Sequence, residues 1–191
     1  MERYYYHGIE VYENFSDTLE VVLKILKEGI NVRHAYLQGE ENEYNHVCLY
    51  KKNEDYDYNE ENMIYSARSG WIDHCCVFVI DPNLATLKAP SSTLNEANAV
   101  TNLVDEWRSN GSISLDKIVG LALPLNSIGK FLNSKPRWEE IKIDQEKTKD
   151  FLNKIKIIAK EMGLFIVNSD IDNFTDKLDL QLNEQKERKI L

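Results

Sequence analysis

Leu19, Val22, Leu23 and Leu26 recur at the spacing of a helix with one buried face. Ser16 or Asp17 can cap its N-terminus, and Gly29 sits where a left-handed C-terminal stop is wanted. Ahead of it, Tyr4, Tyr5 and Tyr6 form a strand-like aromatic run that leads into His7-Gly8. Without a Cβ, Gly8 leaves room for a ligand to approach the backbone. This opening pairs a polar strand residue with a tightly stopped helix, which points to a nucleotide site near the N-terminus.

Further along, Asn45 to Tyr50 reads as a short strand, and Lys51 to Glu61 as a charged, exposed, mobile insertion without apolar periodicity. Asn62 to Ser69 has the look of a short helix that Gly70 breaks. The continuous apolar, β-branched run Cys75 to Ile80 is a buried strand stopped by Asp81-Pro82-Asn83. Leu94 to Arg108 has helical spacing in its first part. Ser109-Asn110-Gly111 is a turn signal before Ile113 and the strand Ile118 to Leu123, which Pro124 closes. Lys147 to Met162 is an amphipathic helix through Phe151, Ile155, Ile158 and Ala159. Gly163 ends it, Leu164 to Val167 is a strand, and Asp176 to Lys189 a charged terminal helix.

Short strands among helices of unequal length, without regular alternation or repeats, predict a mixed α+β domain rather than a doubly wound sheet. The 191 residues suffice for one well-buried domain, with 145–191 as a C-terminal helix-strand-helix extension. Neither a Walker-type glycine loop nor a dinucleotide fingerprint is present. No apolar run reaches membrane-spanning length and no apolar signal core follows Met1, so a cytoplasmic protein with no membrane partner is expected. The net charge of -9, from 32 acidic against 23 basic residues, argues against affinity built on neutralising a nucleic-acid backbone. The three cysteines, Cys48, Cys75 and Cys76, lack disulfide-scaffold spacing and fit a reducing compartment. His74, Cys75 and Cys76 invite a metal reading, but neighbours on a strand point to opposite faces, so no metal is expected.

Three stretches carry a resemblance to the ADP-ribosyltransferase fold. Tyr6-His7-Gly8 and the helix ending at Gly29-Ile30 resemble that family's opening, histidine-glycine-threonine followed by a helix ending in a Gly-hydrophobic pair, with Ile9 in place of the threonine. His46 to Tyr50, Tyr65-Ser66-Ala67-Arg68 and Cys76 to Ile80 are similar in layout to the segment that sets an aromatic residue against nicotinamide. Asn95 to Ala99, Asp105-Glu106-Trp107-Arg108 and Ile113 to Gly120 look like the catalytic-glutamate strand and the strand after it. The layout is nearest to bacterial DNA-targeting ADP-ribosyltransferase toxins and covers roughly the first two thirds of the chain.

The resemblance implies an α+β fold, a split antiparallel β core with flanking helices, holding NAD in a cleft between two small sheets. NAD is the substrate: nicotinamide is displaced at the ribose anomeric carbon through an oxocarbenium-like state. Glu106 is the implied catalytic carboxylate, although among 32 acids it reads equally as one on a solvated helix face. His7 would bond the adenosine-side ribose and Gly8 the nicotinamide carboxamide. Tyr50 or Tyr65 would stack on nicotinamide, and Arg68, or less plausibly Arg33, would pair with the pyrophosphate. Each has a plainer reading as a packed tyrosine, a surface arginine or a satisfied polar histidine. Trp107 either walls the cleft or fills the core, and core is the expectation.

The acceptor is a protein or a short nucleic-acid segment, and an antitoxin or inhibitor protein is among the partners that a toxin or phage-related effector of this kind implies. Two rivals stay open: an NAD glycohydrolase, with water as acceptor, and a non-catalytic module that keeps the fold and acts through a protein interface. A tRNA 2'-phosphotransferase on a related fold ranks last, because it needs a basic phosphate-binding set.

Overall fold

A computed structural model describes residues 4–9, 12–32, 47–52, 76–88, 104–125 and 141–168, with Glu184 and Glu187; at positions 48, 50, 52, 88 and 104–106 only the backbone is described. The expected helices over 62–69 and 176–189 and the remainder of the insertion, 53–61, lie outside these residues except for Glu184 and Glu187, both helical.

The tyrosine run opens strand β1 (Tyr5–Ile9), so His7 and Gly8 belong to the strand itself. Helix α1 spans Phe15–Glu28 and buries Phe15 together with Leu19, Val22 and Leu26 of the stripe its spacing predicts, while the fourth member, Leu23, is half-buried against the same core. Each of the buried side chains contributes about 1.5–3 kcal/mol by leaving water. The expected cap is corrected: Asn14, not Ser16 or Asp17, occupies the N-cap, and Ser16 is buried inside the first turn. No side chain caps this end. The backbone does part of that work, because the Phe15 N–H donates to the Lys142 carbonyl (3.0 Å) and the Lys142 N–H to the Glu13 carbonyl (2.7 Å). Gly29 has φ 80°, and its N–H donates to the Ile25 carbonyl at 2.8 Å.

The other strands are β2 (Cys48–Lys52), β3 (Cys76–Ile80), β4 (Thr86–Lys88), β5 (Val104–Ser109), β6 (Ile118–Leu123) and β7 (Phe165–Asn168). One expectation changes here: Lys51 and Lys52 complete β2 rather than opening a loop. The helical spacing expected in the first part of 94–108 falls on residues before 104, outside the described residues, and 104–109 form strand β5. Helix α2 (Gln145–Glu161) begins two residues earlier than its apolar pattern suggests, because Asp144 accepts from the Lys147 N–H (3.0 Å) and caps it. It ends in a paired stop: Gly163, at φ 69°, donates to the Lys160 carbonyl and Leu164 to that of Ala159.

The strands form a seven-stranded sheet in the order β4-β5-β2-β1-β3-β6-β7, antiparallel except for the parallel β6/β7 pair. Alternation along the strands separates two cores. Tyr5, Ile9, Leu49, Cys76, Phe78, Ile80, Leu121 and Leu123 pack with α1 and α2, while Tyr4, Tyr6, Val77, Val79, Ala122 and Val167 form a second cluster. The chain is thus a mixed α+β fold with α1 and α2 on one sheet face.

Candidate functional site

The sheet is unevenly joined. β1 and β3 share five register pairs, from Tyr5↔Ile80 to Ile9↔Cys76, and β2 and β5 share five, from Cys48↔Arg108 to Lys52↔Val104. Between β1 and β2 the described residues give one pair, Tyr6↔Tyr50. The sheet is continuous, and its least-paired junction among the described residues, a seam, lies between the halves β4-β5-β2 and β1-β3-β6-β7. Beyond Tyr6, β1 continues its ladder with β3 through His7↔Phe78 and Gly8↔Val77, and no further β1/β2 register pair is found among the described residues. His7 and Gly8 lie immediately past the Tyr6↔Tyr50 pair.

Tyr50 is also the register partner of Glu106. Positions 6, 50 and 106 form one row across three adjacent strands, and directly opposed positions share a face of the pleat. At about 4.8 Å per strand, the Glu106 backbone stands roughly 10 Å from that of Tyr6. Sequence pieces far apart in the chain thus converge on the seam.

β5 is anchored at its far end. The Ser109 hydroxyl accepts from the Val47 N–H at 2.8 Å and donates to the Gly111 carbonyl at 2.6 Å. Gly111 turns the chain at φ 85°. Ile113 then bridges to Ile30 through two backbone hydrogen bonds of 2.9 and 2.8 Å. The end of α1 and the segment after β5 are thereby locked together, which fixes the strand that carries Glu106 relative to the helix that follows Gly8.

His7 and Gly8 are both half-buried, on opposite faces. His7 alternates with Tyr5 and Ile9 on the helix-covered side, and Gly8 with Tyr4 and Tyr6 on the other. Ile9 is 4% exposed in the helix-side core. Tyr65, Arg68 and Arg33 lie outside the described residues. Glu106 is on a strand, so its reading as a solvated helix acid is withdrawn.

Two residues were missed in the sequence. Arg108, half-buried and two positions beyond Glu106, belongs to the same face of β5; the only signal for it was that two-residue spacing. Lys51, which reads in sequence as the start of a loop, extends over aromatic rings on the helix side, 5.2 Å from the Tyr5 ring centre and 5.9 Å from that of Trp107. Trp107 packs against the helix-side core, as expected, with its ring edge-on to Tyr5 at 5.8 Å.

Among the described residues, the Asp81 carboxyl and the Lys142 ammonium are displaced from their ordinary values. Burial opposes ionisation of Asp81, but the Asn83 backbone and side-chain N–H groups and the Lys117 ammonium outweigh it and hold the carboxyl below the ordinary aspartate value. The hydrogen bond and charge of Glu13 raise Lys142. Among the described residues no group of three or more His, Cys, Asp or Glu gathers as a metal site, and no helix is long and apolar enough to cross a membrane. Compared with known proteins, the chain matches no family model and no curated sequence.

Proposed function

We propose that this chain is an NAD-consuming ADP-ribosyltransferase on an ADP-ribosyltransferase-like split core, with Glu106 as its catalytic carboxylate. The observation that carries the reading is the row Tyr6, Tyr50, Glu106 at a seam held by one register pair, with His7 and Gly8 just past it. A dinucleotide lying in the opening of the seam would meet Gly8 backbone groups, an aromatic position and a carboxylate position within three strands.

The chemistry asks for that set. As the bond between C1 of the ribose and the nicotinamide nitrogen breaks, its electron pair leaves with nicotinamide and positive charge develops on the sugar. Glu106 stabilises that charge and holds a ribose hydroxyl, Tyr50 or Tyr65 stacks on the nicotinamide, and His7 serves the adenosine ribose. Arg68 pairs with the pyrophosphate, with Arg108 a second candidate on the strand of Glu106. The acceptor nucleophile then attacks C1 and loses its proton. The acceptor is a protein or a short single-stranded nucleic-acid segment, the setting is cytoplasmic, and the biological role is that of a toxin or phage-related effector restrained by an antitoxin or inhibitor protein.

Ile9 bears on the rival of a catalytically silent module. The residue that departs from the family pattern is a core side chain, so its change removes a hydroxyl from a packed position.

The test is nicotinamide release from NAD by the purified chain beside Glu106→Gln, with and without cell lysate. The expected result is release that Glu106→Gln abolishes while folding and NAD affinity hold, with label moving to a macromolecule. Free ADP-ribose alone would make the chain a glycohydrolase. No release in any condition would make it a binding module, and full activity in Glu106→Gln would remove the assignment of that residue.

A further inference from the structure

We propose that Lys51 is a positioning residue, a cationic clamp that holds the two halves of the sheet in register from the face behind the row Tyr6, Tyr50, Glu106. The catalytic part of this proposal rests on the NAD reading; the mechanical part does not.

The backbone gives the seam little of its own. One register pair joins β1 to β2, where each flanking ladder has five. Side-chain contacts across the seam therefore add to a short main-chain ladder in keeping the halves from shearing. Each strand of the row supplies its next residue to the opposite face: Tyr5 beside Tyr6, Lys51 beside Tyr50 and Trp107 beside Glu106. These three are in contact. The Lys51 ammonium stands 5.2 Å from the Tyr5 ring centre and 5.9 Å from the Trp107 ring centre, and the two rings meet edge-to-face at 5.8 Å and 64°. Tyr5 is 5% exposed and Lys51 half-buried, so the cation sits over both π faces with part of its hydration removed, where such attraction is strongest. The Tyr5 phenol also accepts from the Thr86 hydroxyl at 2.8 Å, which ties β1 to the edge strand of the other half.

Tyr5 is the one member of this cluster from the β1 half, and Lys51, Trp107 and Thr86 all come from the other. The ammonium therefore acts across the seam. Adjacent residues on a strand are about 3.4 Å apart and move together. A shift of Lys51 against Tyr5 is a shift of Tyr50 and Glu106 against Tyr6 and Gly8, and displacement of that size is what a positioned reaction tolerates least.

The experiment compares the wild-type chain with Lys51→Met, which keeps the stem and removes the charge, and Lys51→Arg, which restores a cation over both rings. Amide hydrogen exchange is read at residues 5–7 and 49–51 and, as the internal control, at 77–79 and 120–122. In Lys51→Met the seam amides are expected to exchange about tenfold faster while the control strands keep their protection, and Lys51→Arg returns the seam to wild-type rates. Nicotinamide release should follow the seam, with kcat about tenfold lower in Lys51→Met at near-constant KM and recovered in Lys51→Arg.

Unchanged seam exchange in Lys51→Met would overturn the clamp. So would exchange raised evenly across the sheet and not rescued by arginine, which marks a general loss of stability. A loosened seam with unaltered kcat would overturn the positioning role. Absence of release from the wild-type chain would overturn the NAD reading instead, and seam exchange then decides the clamp by the same two outcomes.

Discussion

Gly29 and Ile113 approach so closely that a Cβ on Gly29 would stand 2.5 Å from the Ile113 carbonyl oxygen. That carbonyl accepts the Ile30 N–H at 2.9 Å, so it cannot retreat without breaking the bridge between the end of α1 and the segment after β5. The backbone at Gly29 also has φ 80° with ψ -176°, a region that is essentially glycine's alone. Steric exclusion and backbone strain therefore act in the same direction. Gly29→Ala is expected to lower unfolding free energy by about 2 kcal/mol or more, read as a fall in the urea midpoint. An unchanged midpoint would mean that the bridge is not built as described.

Thr148, 3% exposed on α2, buries a hydroxyl with no hydrogen-bond partner among the described residues. Valine has the same shape without the polar atom. Thr148→Val is thus expected to leave stability unchanged or raise it by up to about 1 kcal/mol, whereas Thr148→Ala, which also loses a packed methyl, should cost about 1 kcal/mol. Thermal melts of the two variants separate these effects. A valine variant less stable than the wild-type chain by about 1 kcal/mol or more would show that the hydroxyl is bonded.

The turn between β3 and β4 predicts an acid limb. The Asp81 carboxylate accepts from the Asn83 N–H at 2.8 Å and faces the Lys117 ammonium at 3.5 Å, and its folded pKa is depressed. A depressed carboxylate binds protons less readily when folded than unfolded. Its contribution is therefore complete above the ordinary aspartate value and is lost as pH falls through the lower, folded one. The pair is partly solvated, so the effect should stay below about 1 kcal/mol. Stability measured across the acid range should fall less steeply in Asp81→Asn than in the wild-type chain. Parallel curves would dissociate Asp81 from acid unfolding.

Local pattern made part of this fold legible. The apolar spacing of Leu19, Val22 and Leu26, the run Cys76 to Ile80 and the stop at Gly163 each depend on near neighbours, and each forms where it was expected. The Asn14 cap was hidden because the Phe15 N–H is satisfied by the carbonyl of Lys142, a residue far along the chain. Lys51 was misread for a related reason: a lysine after a short strand looks like the start of a polar loop unless Tyr5 and Trp107 are known to lie beneath it. The candidate site, whose Tyr65 and Arg68 lie outside the described residues, is readable in the sequence only as three separate pieces. Their meeting at Tyr6↔Tyr50 and Tyr50↔Glu106 is a property of strand order, which no local spacing encodes.

The seam makes a separable demand on Gly8. The residue is paired with Val77 on β3, and β1 has no described register pair with β2 past Tyr6, so Gly8 has a regular ladder on one side and the proposed NAD position on the other. Valine is a good strand former, and Gly8→Val removes backbone freedom from the unfolded chain, so the β1/β3 ladder should hold. What changes is the space at that position, where two methyl groups would occupy the place proposed for the nicotinamide carboxamide. Gly8→Val is therefore expected to weaken NAD binding at least tenfold, with Gly8→Ala intermediate and thermal midpoints within a few degrees of wild type. Titration calorimetry beside thermal melts keeps the two effects apart. A folded Gly8→Val chain that binds NAD as tightly as wild type would move the ligand away from this end of the seam and leave Glu106 without the substrate proposed for it.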